Sequence, residues 1–180
     1  MKRFILTLAS LVVVVVLLGA AMAWYVRPTQ ALDLNYQEVD LQKKIESMVL
    51  ETSLTIPLTD EELNNLFKQE LNRNTEPVPH IRITGAHFSR EGNELIADLN
   101  VLFREKVPAQ IQLVYQLEWH SPDLKLLFVD ARIKGKGIPG NWFNPGDILI
   151  PIEDKLPPFI IIKSVDFTGL DILFKLGIQR

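Results

Sequence analysis

An uncharged run of 23 residues, positions 4–26, begins almost at the N-terminus and constrains this chain more than any other feature. As an α-helix it would be slightly longer than about 30 Å, which is enough to cross the hydrocarbon core of a bilayer. Lys2 and Arg3 precede the run, and basic residues on a short leading segment favour a cytoplasmic N-terminus. We therefore expect residues 1–30 to form a cytoplasmic tip, a single-pass membrane anchor and the start of a spacer. Residues 31–180 would then form one extracytoplasmic domain.

The same segment could instead be a signal peptide that is cleaved off. Ala21 and Ala23 flank Met22 in the small-x-small pattern that signal peptidases read, and cleavage after Ala23 would release a secreted domain. Trp24 and Tyr25 continue the apolar run past that site, which favours an uncleaved anchor with aromatic residues at the lipid headgroups.

Composition excludes several classes of function for the exported part. The chain has no Cys, so it has no disulfide framework, thiolate metal site or Cys nucleophile. Residues 31–180 hold 16 basic and 22 acidic residues, a net charge of −6. Nucleic-acid binding needs a concentrated basic surface, so we expect no nucleic-acid partner.

Hydrophobic spacing predicts two amphipathic helices at the start of the domain. The first covers residues 36–50, and the second begins at Thr59, where Thr59 and Glu62 form a capping box. Between them, residues 54–58 contain Pro57, which is typical of an edge strand or an extended linker.

From residue 80 onward the period changes from helix to strand. The predicted strands cover residues 80–88, 94–104, 108–120, 124–136, 159–167 and 170–178. Tight turns between the long strands indicate an antiparallel meander. The predicted fold is α+β: an N-terminal transmembrane helix, then two amphipathic helices packed on a long curved antiparallel sheet.

Catalytic and metal-binding patterns are missing from the sequence. His80, His87 and His120 have no metal-ligand spacing, and no Ser lies in a nucleophile motif. Clustered carboxylates such as those at residues 60–62 are explained by helix capping. We expect no enzyme activity, no metal and no cofactor.

The apolar faces of the long strands suggest a binding site instead. They either form ordinary core or line a groove for a lipid or another apolar envelope ligand. The residues that would contact such a ligand are Leu95, Leu99, Val101, Phe103, Ile111, Leu113, Tyr115, Leu117 and Trp119. The alternative is an envelope protein-interaction module without a cavity, whose docking patch would be Trp142 and Phe143.

The order of features resembles one known family. The segments that carry the resemblance are LTIPL (residues 54–58), TDEELNNL (59–66), GIP (137–139) and LPPFI (156–160). With the single anchor, they resemble the YpmS-like single-pass envelope proteins of Gram-positive bacteria, a family of unknown function. More distantly, they are similar to the tubular lipid-binding (TULIP-like) domains. The resemblance covers about residues 35–178 and implies an envelope location and lipid handling.

Overall fold

The structure is a computed structural model. It describes residues 2–39, 43–45, 55–76, 78–140, 143–153, 156–157 and 160–178, with side chains for those between 11 and 177. The first helix, α1, covers Lys2–Tyr25. Among the described residues, no helix is long and apolar enough to cross a membrane.

The two predicted amphipathic helices have different outcomes. Residues 36–39 have no regular structure, so the first helix does not begin at residue 36 as predicted. One reason is that the Gln37 amide donates to the side chain of Asn65 (3.2 Å), which lays this stretch along the second helix. Residues 43–45 are helical, and the rest of the prediction lies outside the described residues.

The second predicted helix is confirmed as α2, Asp60–Arg73. The Thr59 hydroxyl accepts from the Glu62 amide (3.2 Å), and the Glu62 carboxylate accepts from the Thr59 amide (3.0 Å), which is the predicted capping box. Burial raises the pKa of the Glu62 carboxyl, but hydrogen bonds from Lys44 and Thr59 outweigh burial and lower it. At the start of α2, the backbone amides of Thr59 and Glu62 are therefore hydrogen-bonded, and the Glu62 carboxylate is ionised.

The strands form two antiparallel sheets, where the sequence predicted one. The bounds are Thr55–Leu58 (β1), Ile81–Glu91 (β2), Glu94–Phe103 (β3), Val107–His120 (β4), Asp123–Ile133 (β5), Lys136–Gly137 (β6), Ile148–Pro151 (β7), Ile160–Asp166 (β8) and Ile172–Ile178 (β9). The large sheet has the order β2-β3-β4-β5-β6, with β7 also paired to β5, and the small sheet has the order β1-β9-β8. The closing hairpin is separate because it pairs with β1, whose Pro57 sits on an outer edge as expected.

The outer edge of β2 is capped by hydrogen bonds from other segments. The register of β2 against β3 shifts by one residue between Ile83 and Gly85, so the amides that point outward are those of Ile83, Ala86 and Phe88. The Ile83 amide donates to the Thr75 carbonyl (2.8 Å), the Ala86 amide to the Asp33 carbonyl (3.0 Å) and the Phe88 amide to the Asn64 side chain (2.9 Å). An edge covered in this way does not pair with another chain.

Residues 26–35, which we name the strap, cross the outer face of the large sheet. The Val26 carbonyl accepts from the Gln110 amide of β4 (2.9 Å), and the Gln30 carbonyl accepts from the Asn100 side chain of β3 (2.8 Å). Past the edge of β2, Asp33 meets Lys68 of α2 (3.2 Å). The hydrogen bond from Lys68 is the main cause that lowers the pKa of Asp33. The strap thus ties α1 to the sheet and to α2.

Gly85 is where the strap passes closest to the sheet. A Cβ at this position would overlap the backbone of Leu32 and Asp33. We expect Gly85→Ala to displace the strap and to lower the free energy of unfolding by about 1–3 kcal/mol. Gly140→Ala is the control, since a Cβ there meets nothing within 4 Å. Urea unfolding of the two variants checks this, and equal stability would show that the strap does not hold the sheet.

A buried arginine joins the two sheets. The side chain of Arg90 is only 3% exposed and contacts Asp60 at the start of α2 (3.3 Å). Its guanidinium also donates to the carbonyls of Gly92 (2.6 Å), Phe167 (2.9 Å) and Gly169 (3.0 Å) and to that of Leu170. These carbonyls belong to the β2–β3 turn and to the connection from β8 to β9, so Arg90 fastens both hairpins to α2.

Removing this buried guanidinium should lower the free energy of unfolding far more than removing an exposed one. We expect Arg90→Ala to lower the free energy of unfolding by about 2–3 kcal/mol, because four carbonyls and Asp60 lose the charged donor that they share. Arg73→Ala removes only an exposed pair with Glu70 on the same helix and should cost less than about 1 kcal/mol. Thermal or urea denaturation of both variants measures the difference, and comparable losses would contradict the role of Arg90.

Candidate functional site

An apolar groove of about 470 Å³ lies on the inner face of the large sheet. Strands β2 to β5 form its floor, α2 forms one wall, and residues 143–151 form the other. The groove is lined by Phe67, Glu70, Leu71, Arg73, Asn74, Val78, Ile81, Ile83, Phe88, Leu95, Ala97, Leu99, Val101, Ile111, Leu113, Tyr115, Leu126, Phe143, Pro145, Ile148, Leu149, Ile150 and Pro151. Its volume falls in the range of about 300–1,000 Å³ that is typical of small-molecule sites.

Six of the nine predicted contact residues line this groove, namely Leu95, Leu99, Val101, Ile111, Leu113 and Tyr115. On β3 the lining runs from Leu95 to Val101, which is about 20 Å of strand. The floor is therefore elongated along the strands.

The other three predicted contact residues lie elsewhere. Phe103 is at the end of β3, is 43% exposed and has the Arg104 guanidinium over its ring (5.3 Å to the centroid). Leu117 is 1% exposed, but it belongs to the filled core and not to the groove lining. Trp119 is half-buried and packs against the same core. The groove therefore occupies part of the predicted face, and side chains fill the remainder.

Several lining residues were not among the predicted contacts. Phe67 and Leu71 belong to the apolar stripe of α2, so their burial was predictable, although their position on a cavity wall was not. Phe67 stacks on Phe88 with ring centroids 5.0 Å apart. Strand β7 was obscured in the sequence because it has four residues and ends at Pro151.

The mouth of the groove lies between its two walls. On α2 the rim carries Glu70 and Arg73, which pair with each other (2.9 Å) and are both more than half exposed. On the opposite wall the exposed rim residues are Ile148 and Leu149, at 41% and 60%. One rim is polar and the other apolar, an arrangement that suits an amphiphilic ligand.

Tyr115 supplies a polar group on the apolar floor. It is 3% exposed, and its ring meets that of Phe128 edge to face at 5.7 Å. Burial, and after it the carboxylate of Asp147, raise the pKa of the Tyr115 hydroxyl to about 12. The phenol is therefore neutral at physiological pH and can donate a hydrogen bond to a bound molecule.

The titration of Tyr115 can be followed directly. The chain has three tyrosines. We expect one phenolate to form near pH 12 and not near the ordinary tyrosine pKa of about 10, and we expect this absorbance step to be absent from Tyr115→Phe. Because the folded-state pKa is raised, the stability linked to Tyr115 is fully present below about pH 10 and is lost as pH rises through 12. An absorbance titration near pH 12 that Tyr115→Phe leaves unchanged would contradict this environment.

Among the described residues, no group of three or more His, Asp or Glu side chains could hold a metal ion. His80 and His87 are exposed, in the turn before β2 and on β2 itself. His120 lies 3.9 Å from Glu118 at the end of β4. The three histidines therefore do not converge.

The predicted docking patch is only partly described. Phe143 is half-buried, packs against the core and lines the groove, so it is not the exposed residue that a docking patch requires. Trp142 lies outside the described residues. Phe143 is therefore better interpreted as part of the groove wall.

Comparisons with known proteins add no relative. The chain matches no protein-family model, no curated protein and no solved structure. The resemblance to YpmS-like and TULIP-like proteins therefore stays a prediction from sequence motifs.

Proposed function

We propose that this protein is a non-catalytic, membrane-anchored domain that binds a lipid or another apolar envelope molecule in its groove. The observation that carries the proposal is the elongated apolar groove of about 470 Å³. A site of this kind holds its ligand by burying apolar surface, while a few polar groups orient it. Tyr115 on the floor and Glu70 and Arg73 at the mouth are such groups.

The anchor is proposed from residues 4–26 and from the exposure of α1. Leu11, Val12, Val13, Val14, Val15, Val16, Leu17 and Leu18 are each at least half exposed, which is unfavourable for an apolar helix in water. Insertion into a bilayer would cover them, and Trp24, 71% exposed, would lie at the headgroups. With Lys2 and Arg3 in the cytoplasm, the domain lies outside the cell, tethered beside a source of lipid.

The proposal is tested by filling the groove from its floor. Ala97 is a small floor residue on β3, and Ala97→Phe places a ring where the ligand would lie. Val129→Phe, at a half-exposed position of β5, places the same ring away from the groove. The full chain is reconstituted into nanodiscs, and binding of a fluorescent palmitate analogue is titrated.

We expect Ala97→Phe to weaken binding by at least about tenfold and Val129→Phe to leave it unchanged, with both variants folded. Lipid extraction and mass spectrometry of the wild-type protein from membranes would identify the natural ligand. Equal binding by the two variants, or a folded protein that binds no lipid, would refute the proposal. An empty groove would leave the envelope protein-interaction module as the remaining interpretation.

A further inference from the structure

The two ends of the large sheet carry opposite charge. The end next to α1, which we name the proximal end, contains the β3–β4 turn at residues 104–106 and the β5–β6 turn at 134–135. Strand registers place these turns together, because Phe103 pairs with Val107 and Ile133 pairs with Lys136. The Val26 carbonyl, which accepts from Gln110 near the start of β4, places the end of α1 there as well.

Five basic residues are exposed at the proximal end, and none has an acidic partner within the described residues. They are Arg27, Arg104, Lys106, Lys134 and Lys136. They come from three separate segments of the chain, the strap and two turns. The Lys134 ammonium lies 4.9 Å from the centre of the Tyr25 ring, so this turn directly contacts the last residue of α1.

Acidic residues are the main charges at the opposite, distal end. The β2–β3 turn is flanked by Glu91 and Glu94, the first turn of α2 contains Asp60 and Glu61, and β5 starts at Asp123. Residues 31–180 carry a net charge of −6, so the charge of the basic proximal end is opposite in sign to that of the whole domain. An anionic surface would attract the proximal end and repel the distal one.

We propose that the proximal end binds the anionic headgroups of the membrane that holds α1. The proposal rests on the proposed anchor and specifies how the domain sits on the bilayer. Lysine and arginine near an anionic membrane surface each add attraction that falls off within a Debye length. The strap fixes the distance between α1 and the turns, so both meet the bilayer at once. Arg73 and Asn74, at the C-terminal end of α2, bring the groove mouth toward the same end.

The position of the domain on the bilayer can be measured with single labels, because the chain has no native Cys. A fluorophore is attached to Pro79→Cys in the proximal turn before β2 or to Asn93→Cys in the distal β2–β3 turn. The full chain is reconstituted into vesicles of phosphatidylcholine alone or mixed with phosphatidylglycerol. Headgroup-labelled nitroxide lipids then quench the fluorophores that lie near the surface.

We expect strong quenching at position 79 and little at position 93 in anionic vesicles. Quenching at position 79 should fall toward the value at position 93 in neutral vesicles, in high salt and in Lys134→Gln combined with Lys136→Gln. The control, Lys163→Gln with Lys175→Gln, removes two exposed charges from the small sheet and should change nothing. Equal quenching at both positions would overturn the proposal. So would quenching at position 79 that is unchanged by lipid charge and by the lysine substitutions.

Flotation of the same vesicles separates this proposal from the anchor. Salt-resistant flotation with both lipid mixtures supports the anchor, and the quenching result then decides the role of the proximal end. Flotation with anionic vesicles alone, reversed by salt, refutes the anchor but supports binding by the basic end. A chain that floats with neither mixture refutes both.

Discussion

The hydrogen bonds along the outer edge of β2 are the constraint on which the rest of the structure depends. Three outward amides of this strand find acceptors in Thr75, Asp33 and the Asn64 side chain, which belong to three different segments. Satisfying this edge therefore fixes α2, the connection that follows it and the strap in one step. Since α2 is a wall of the groove and the strap leads to α1, the edge also sets the shape of the groove and its distance from α1.

The local elements of the fold were largely predictable from the sequence, because their signals are local. The Thr59–Glu62 capping box, the Gly92–Asn93 turn and the alternation of Leu95, Ala97, Leu99 and Val101 all depend on neighbouring residues, and the structure contains each of them. The separation into two sheets was not predictable in this way. It depends on β9 pairing with β1, across more than a hundred residues, and periodicity says nothing about which strand pairs with which.

The same distinction applies to the groove. Alternation identified the face that contains the groove, but it could not show that Leu117 lies in filled core while Leu113 and Tyr115 line open space. That difference depends on what covers each part of the face. Burial at one end of a strand and a cavity further along give the same sequence pattern. Arg90 is a comparable case, since the sequence gives no sign that one guanidinium reaches four carbonyls in two hairpins.

The proposed ligand would gain its binding free energy from the apolar surface of the groove. The groove opens to solvent at its mouth, so its apolar lining stays in contact with water when no ligand is bound. Each Å² of that surface that a ligand covers contributes roughly 25 cal/mol of favourable free energy. Both walls are attached to the large sheet, α2 by a hydrogen bond to the edge of β2 and residues 148–151 by pairing with β5. An apolar ligand would cover this surface without moving either wall, and this is the physical basis of the proposed function.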